Sequence, residues 1–173
     1  VQSAAEGWIA TACEPGHVGL SPANTIELAV FEALLAEHED IYAELLVSGP
    51  GLQRLYRTLA AVTNRDPSEL SPADISGRAL AGEDPLCVES LELFCALLGS
   101  ACGDFLLSTG AYGGLYLAGG IVPRMIPFLA ASSFHQRLCS KGAMSPVLQQ
   151  VPVYAITAAQ PGLIGAAHAP LTD

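Results

Sequence analysis

The stretch Gly110–Phe128, GAYGGLYLAGGIVPRMIPF, constrains this chain most. Leu115–Ala118 is an apolar run, Gly119-Gly120 is a turn, and Ile121–Leu129 can enter a helix. A strand that passes through a glycine pair into a helix presents bare backbone to a ligand where side chains would collide. The wider run Gly110–Phe134 is apolar enough to raise the question of a membrane span. Gly110, Gly113, Gly114, Gly119, Gly120, Pro123 and Pro127 interrupt it, and Arg124 adds a charge. No unbroken apolar stretch approaches the ~18 residues that a span needs. A buried strand with a covering helix fits the pattern instead.

A chain of 173 residues is long enough for one domain with its own core. Hydrophobic residues make up 51% and charged residues only 14%, which excludes disorder. The net charge of −10 argues against nucleic acid and against anionic membrane surfaces as partners. It does not exclude a phosphate ligand, because backbone amides and helix N-termini hold anions without net positive charge. The five cysteines, Cys13, Cys87, Cys95, Cys102 and Cys139, are odd in number and contain no CxxC pair. Cys95 and Cys102 stand a heptad apart, on faces related to Leu91, Leu98 and Phe105, which reads as helix packing. Reduced thiols in a cytoplasmic protein are expected. The opening VQSAAEGWIATAC has no basic n-region and no initiating Met, so it reads as the interior of a longer chain.

Local signals divide the chain into alternating strands and helices. Trp8–Cys13 reads as a strand and Glu14-Pro15-Gly16-His17 as a turn. Ser21 with Pro22 opens a helix whose apolar face is Ile26, Val30, Phe31, Leu34 and Leu35. Tyr42–Val47 reads as a second strand, and Ser48-Gly49-Pro50-Gly51 turns into a helix bearing Leu52, Leu55, Tyr56 and Leu59. Asn64–Leu70 is a polar loop. Ser71-Pro72-Ala73-Asp74 is a capping box that opens a short helix to about Leu80. Asp84-Pro85 starts a long helix to about Leu107, buried through Leu91, Phe94, Leu98, Cys102 and Phe105. Ser132–Leu138 is helical, Val151–Thr157 is a strand, and Pro161–His168 forms a last helix. The order is that of an α/β protein. No repeat, low-complexity tract or linker divides it, which predicts one domain.

Four groups of residues carry possible chemistry. Glu14-x-x-His17 with Glu44 has the composition of half a di-metal site, but Pro15 and Gly16 oppose the helix such a site needs and no second copy occurs. No metal is expected. Two carboxylates and an imidazole also suit a polyol, because ionised carboxylates accept hydroxyl hydrogen bonds and a histidine donates or accepts. Residue chemistry alone still favours a capping glutamate and a surface histidine. Ser48-Gly49-Pro50-Gly51 is either a phosphate-holding helix start or an ordinary connector. The pairs Gly113-Gly114 and Gly119-Gly120 exceed what a simple turn needs, yet neither GxxxxGK[ST] nor GxGxxG occurs. His38, His135 and His168 stand alone, and no GxSxG elbow is present.

Taken together, the residues resemble the bacterial-type glucokinase family, ATP-dependent hexokinases of the actin/hexokinase-like superfold. The match runs through Glu14-x-Gly16-His17-Val18, Glu44, Leu46-x-Ser48-Gly49-Pro50-Gly51-Leu52, Asn64-Arg65, Asp74-Ile75 and Arg78-Ala79-Leu80. It continues through Leu93-Phe94-Cys95, Ala118-Gly119-Gly120-Ile121-Val122-Pro123-Arg124, Val151-Pro152-Val153-Tyr154 and Pro161-Gly162-Leu163-x-Gly165. The resemblance implies a ribonuclease H-like large domain, a mixed sheet with helices packed against it, spanning residues 1–173. It implies that Glu14, His17 and Glu44 hold glucose hydroxyls. It also implies that Ser48, Gly49, Gly119 and Gly120 line the nucleotide side, with ATP and Mg2+ as cosubstrate and ion and a homodimer as the assembly.

The chain departs from the family at Pro15, where glycine is usual and where proline alters the turn that presents His17. It also contains no Asp-Gly-Gly-Thr phosphate loop and no Asn-Asp pair, which the family carries in an amino-terminal domain. With most of the Mg2+ and phosphate contacts and the catalytic aspartate assigned there, these residues include no catalytic base. Glucose phosphorylation is expected of the parent and inactivity of this piece. The alternatives are a sugar-binding regulator or pseudokinase of the same superfold, or a dimerisation module built on the helix Pro85–Leu107.

Overall fold

Helix starts in this chain are written in short-range hydrogen bonds, and the computed structural model shows them at work. It describes residues 12–168 together with the strands β1 (Gln2–Ala4) and β2 (Gly7–Ile9). A 3₁₀ turn, Pro15–His17, leads to α1 (Thr25–Leu35), α2 (Ala43–Leu46), α3 (Gly49–Val62), α4 (Pro72–Ala81) and α5 (Pro85–Thr109). Then come β3 (Leu115–Leu117), α6 (Ile126–Ala131), α7 (Phe134–Cys139), α8 (Ser145–Leu148), β4 (Val153–Ala155) and α9 (Pro161–His168).

Ser48, Ser71 and Asp84 cap α3, α4 and α5, each with proline in the first turn. The capping box at Ser71 and Asp74 is complete in both directions. Gly110, at φ +64°, ends α5 in the left-handed conformation.

Several elements differ from the sequence reading. The Ser21-Pro22 start is overridden: Asn24 caps α1, its side chain accepting from Glu27 N at 2.9 Å while Glu27 accepts from Ala23 N at 2.8 Å. This frame buries Glu27, Val30, Phe31 and Leu34 and leaves Ile26 and Leu35 exposed. Tyr42–Val47 is not a strand. Ala43–Leu46 coils into α2, since Ala, Glu and Leu are strong helix formers and a short apolar run has no decisive period. Pro123 and Pro127 break the expected helix Ile121–Leu129 into a 3₁₀ turn at Val122–Arg124 and the short α6. Of the expected strand Trp8–Cys13, Ala10 and Thr11 lie outside the described residues and Ala12-Cys13 is irregular.

The core forms around α5. Helices α3, α4 and α7 pack against it, and its buried residues, including Cys87, Leu91, Phe94, Cys95, Leu97 and Leu106, occupy more than one face. Leu98, Cys102 and Phe105, expected on the buried side, are only half-buried. Helix α5 is long and apolar enough to cross a bilayer by composition, but 67% of its apolar window is buried inside the protein, as in the core helix of a soluble domain.

Helices α5 and α7 approach backbone to backbone. A Cβ on Gly99 would stand 2.2 Å from the Phe134 carbonyl oxygen, and one on Gly103 2.4 Å from that of Leu138.

The strands form two separate pairs among the described residues, β1–β2 antiparallel and β3–β4 parallel. Leu115 and Leu117 of β3 face the core, while Tyr116 stacks on Tyr154 of β4 on the exposed side at 5.0 Å.

Candidate functional site

Pro15, the residue that breaks the expected glycine pattern, occupies the first position of the 3₁₀ turn, where no N–H is needed. The turn closes through His17 N donating to the Glu14 carbonyl and Val18 N to that of Pro15, both at 3.2 Å. The strand segment that follows His17 is clipped to the segment that precedes Glu44. Leu20 N donates to the Ile41 carbonyl at 2.9 Å and Ala43 N to that of Val18 at 3.0 Å, flanking a Gly19–Tyr42 bridge.

This clip sets two side chains from distant parts of the sequence beside each other. His17 Nδ1 lies 4.0 Å from Glu44 Oε2, with the two side chains 64% and 63% exposed. That separation is too long for a direct hydrogen bond, so both groups keep their capacity for a third partner. Gly16 allows the approach, for a Cβ there would come within 3.1 Å of Glu44 Oε2. The His17 ring lies on the Tyr42 ring with centroids 5.1 Å apart and planes inclined by 10°. Glu14 is exposed at the head of the same 3₁₀ turn, three positions before His17. The three residues singled out from sequence thus lie on one turn and the helix clipped to it, His17 and Glu44 adjacent.

The candidate nucleotide turns are built differently. Ser48 Oγ accepts from Gly51 N at 3.0 Å, so the hydroxyl serves the start of α3. Gly51 is a packing requirement: a Cβ there would stand 2.4 Å from the Leu46 carbonyl oxygen. Arg54 Nη1 donates to the Leu45 carbonyl at 2.5 Å and ties α2 to α3. Ser48 and Gly49 follow Glu44 across the single turn of α2. Gly119 and Gly120 are exposed just after β3, Gly119 at φ +114°, a conformation that requires glycine. Among the described residues no hydrogen bond links these two turns.

Two features escaped the sequence reading. The strand expected over Tyr42–Val47 hides Tyr42, which stands at the N-cap of α2 and makes no cap bond. The second is a cavity of about 800 Å³ between the start of α1, α5 and α7. Its charged lining is engaged: Arg137 bonds the buried Glu27, Lys141 Nζ donates to Asp104 at 2.7 Å and contacts Ser100, Glu89 pairs with Arg65, and Glu92 accepts from Ser133 N at 2.8 Å. Cys13, beside Glu14, is an exposed free thiol, whereas the cysteines of α5 are withdrawn from chemistry by burial. Burial pushes the Cys95 and Cys102 thiols up to about 12, and burial followed by Asp84 does the same for Cys87.

A family model for glucokinase matches residues 1–172. The chain is 44% identical over 164 residues to the glucokinase of Saccharophagus degradans, a match covering 95% of this chain and 51% of that protein. It is 47% identical over 165 residues to the glucokinase of Chromobacterium violaceum, covering 95% and 47%. Among solved structures, a glucokinase from an Antarctic psychrotroph superposes with a TM-score of 0.86 at 40% identity, over 94% of this chain and 51% of that one. The chain spans about half the length of the relatives it matches. Its helix-rich α/β architecture is that of a glucokinase half, and the chain belongs to the glucokinase family.

Proposed function

We propose that these residues form the larger, carboxy-terminal domain of an ATP-dependent glucokinase, with Glu14, His17 and Glu44 as the set that holds glucose hydroxyls. The observation that carries the reading is the clip that puts His17 Nδ1 4.0 Å from Glu44 Oε2 at an exposed edge. A hydroxyl between them can donate to the carboxylate and accept from the imidazole. Hydrogen bonds to charged groups also make this set discriminate between hydroxyl configurations.

The reaction is transfer of the γ-phosphoryl group of ATP to the primary hydroxyl of glucose. Such transfers rest on positioning and on stabilising charge. In this reading Glu14, His17 and Glu44 supply the positioning, and the exposed Gly119-Gly120 turn, with Ser48-Gly49, lines the nucleotide side. The two turns are suited to this unequally. Gly119 and Gly120 leave open backbone, whereas the Ser48 hydroxyl is already engaged as a cap. Among the described residues no three His, Cys, Asp or Glu side chains converge. By the resemblance to the family, Mg2+ is assigned to the nucleotide phosphates and to the phosphate-loop domain, which also supplies the catalytic aspartate. A cytoplasmic homodimer completes the proposal; the free cysteines suit a reducing compartment.

Two measurements test it. In the full-length gene product, Glu44→Gln and His17→Ala should each raise the glucose KM by roughly 10- to 100-fold, the worth of a hydrogen bond to a charged group. The isolated 173-residue chain should give no turnover in a coupled assay. Robust turnover by the chain alone would refute the assignment of the base elsewhere. Glucose binding without turnover by the full-length product would identify a sugar-binding regulator.

A further inference from the structure

The His17 imidazole is well exposed, and among the described residues neither of its ring nitrogens is hydrogen-bonded. A ring in that situation turns freely about its last torsion unless packing holds it. What it has is Tyr42, face to face at 5.1 Å and 10°. We propose that Tyr42 is a positioning residue for sugar recognition. Its ring clamps the imidazole so that Nδ1 stays directed at Glu44, and the two read one sugar hydroxyl together. The inference rests on the sugar-site reading given above.

Three observations support it. Tyr42 occupies the N-cap of α2 and gives the helix no side-chain bond, although Ser, Thr, Asp or Asn would cap it. A residue that breaks a local preference is expected to serve a non-local purpose; Tyr42 packs partly against the core and carries the His17 stack on its exposed side of the clip. Next, the Tyr42 backbone is held opposite Gly19 by the bonds of Ala43 N to Val18 and Leu20 N to Ile41, so the platform does not drift relative to His17. Finally, the gap of 4.0 Å between Nδ1 and Oε2 accepts one hydroxyl oxygen at about 2.8 Å from each. That hydroxyl donates to Glu44 and accepts from His17 in its Nδ1-protonated tautomer. Because Tyr42 covers one imidazole face, the ring meets ligand through its edge. The site is therefore directed at a hydroxyl donor–acceptor and not at the apolar face of a sugar.

The test uses the full-length gene product with the variants Tyr42→Ser, Tyr42→Phe and His17→Ala. Serine restores a capping side chain, so Tyr42→Ser should stay folded while losing the stack. Its glucose Kd by calorimetry should rise about two- to tenfold, the cost of ordering one freed side chain on binding. Its ATP Kd should not change. Tyr42→Phe should bind glucose like the parent. In proton NMR the His17 ring signals should lie upfield in the parent and in Tyr42→Phe, and should move downfield in Tyr42→Ser. If His17→Ala binds glucose normally, the sugar-site reading itself is wrong. If His17→Ala weakens glucose binding but Tyr42→Ser leaves both Kd and His17 signals unchanged, the positioning role is overturned. An equal loss of glucose and ATP affinity in Tyr42→Ser overturns it as well.

Discussion

Individual residues differ here chiefly in what burial does to them. Cys13 is exposed, whereas Cys87, Cys95 and Cys139 are buried and Cys102 is half-covered. Desolvation raises the thiols of Cys87, Cys95 and Cys102 to about 12 and that of Cys139 in the same direction. A thiol reagent at pH 8 should therefore titrate one group quickly in the native protein and the others only after denaturant. The same shift makes stability fall in alkali. In the unfolded chain these thiols ionise near ~8.5, so above that pH the unfolded state sheds protons the folded state keeps. The stabilisation is complete below that point and is lost progressively towards pH 12. Urea midpoints should be lower at pH 10 than at pH 7, with a smaller drop in Cys95→Ala. The packing role of Cys95 was legible from its place in the heptad with Leu91, whereas Cys102, read in the same way, is only half-covered. Which of the two is fully enclosed was not legible, because α5 is covered from more than one side.

At the level of elements, one substitution should act with opposite signs in two helices. Gly77 lies exposed in α4 with nothing within 4 Å of a built Cβ, so Gly77→Ala should stabilise by about 0.4–1 kcal/mol through the unfolded chain. Gly99 faces the Phe134 carbonyl, and Gly99→Ala must push α7 off α5 at a cost of about 1–3 kcal/mol or more. Chemical denaturation of the two variants reads the contrast directly. Both glycines look alike in sequence; the difference arises from a neighbour that joins the helix only on folding. Helices α3, α4 and α5 could be read because caps and first-turn prolines lie within a few residues of the helix start, and α9 from Pro161 at its first position. Helix α2 could not, since six residues of mixed preference settle as helix or strand according to what they pack on. Here they are held between the Gly19–Tyr42 bridge and the close approach of Gly51.

At the scale of the whole molecule, the ion pair of Arg137 with Glu27 joins α7 to the start of α1 across 110 positions. Glu27 is 1% exposed and also accepts from Ala23 N and Asn24 Nδ2. Arg137→Ala would leave that carboxylate buried without its charge partner and should cost about 3–5 kcal/mol. The double variant Arg137→Met with Glu27→Leu should recover much of the loss, since an apolar pair avoids the desolvation penalty. A double-mutant cycle by urea denaturation decides it. A loss in the double variant equal to the sum of the two single losses would show that the two side chains act independently.

The amino-acid sequence by itself determined the caps of α3, α4 and α5, the glycine turn after β3 and the family. Each of these is written in neighbouring residues or in an ordered motif that needs no partner from elsewhere. Tertiary structure decided that Asn24 and not Ser21 starts α1, that Ala43–Leu46 is helical, and that His17, Tyr42 and Glu44 meet. Those outcomes depend on backbone bonds and packing between segments far apart in the chain, and such contacts exist only once the core around α5 has closed.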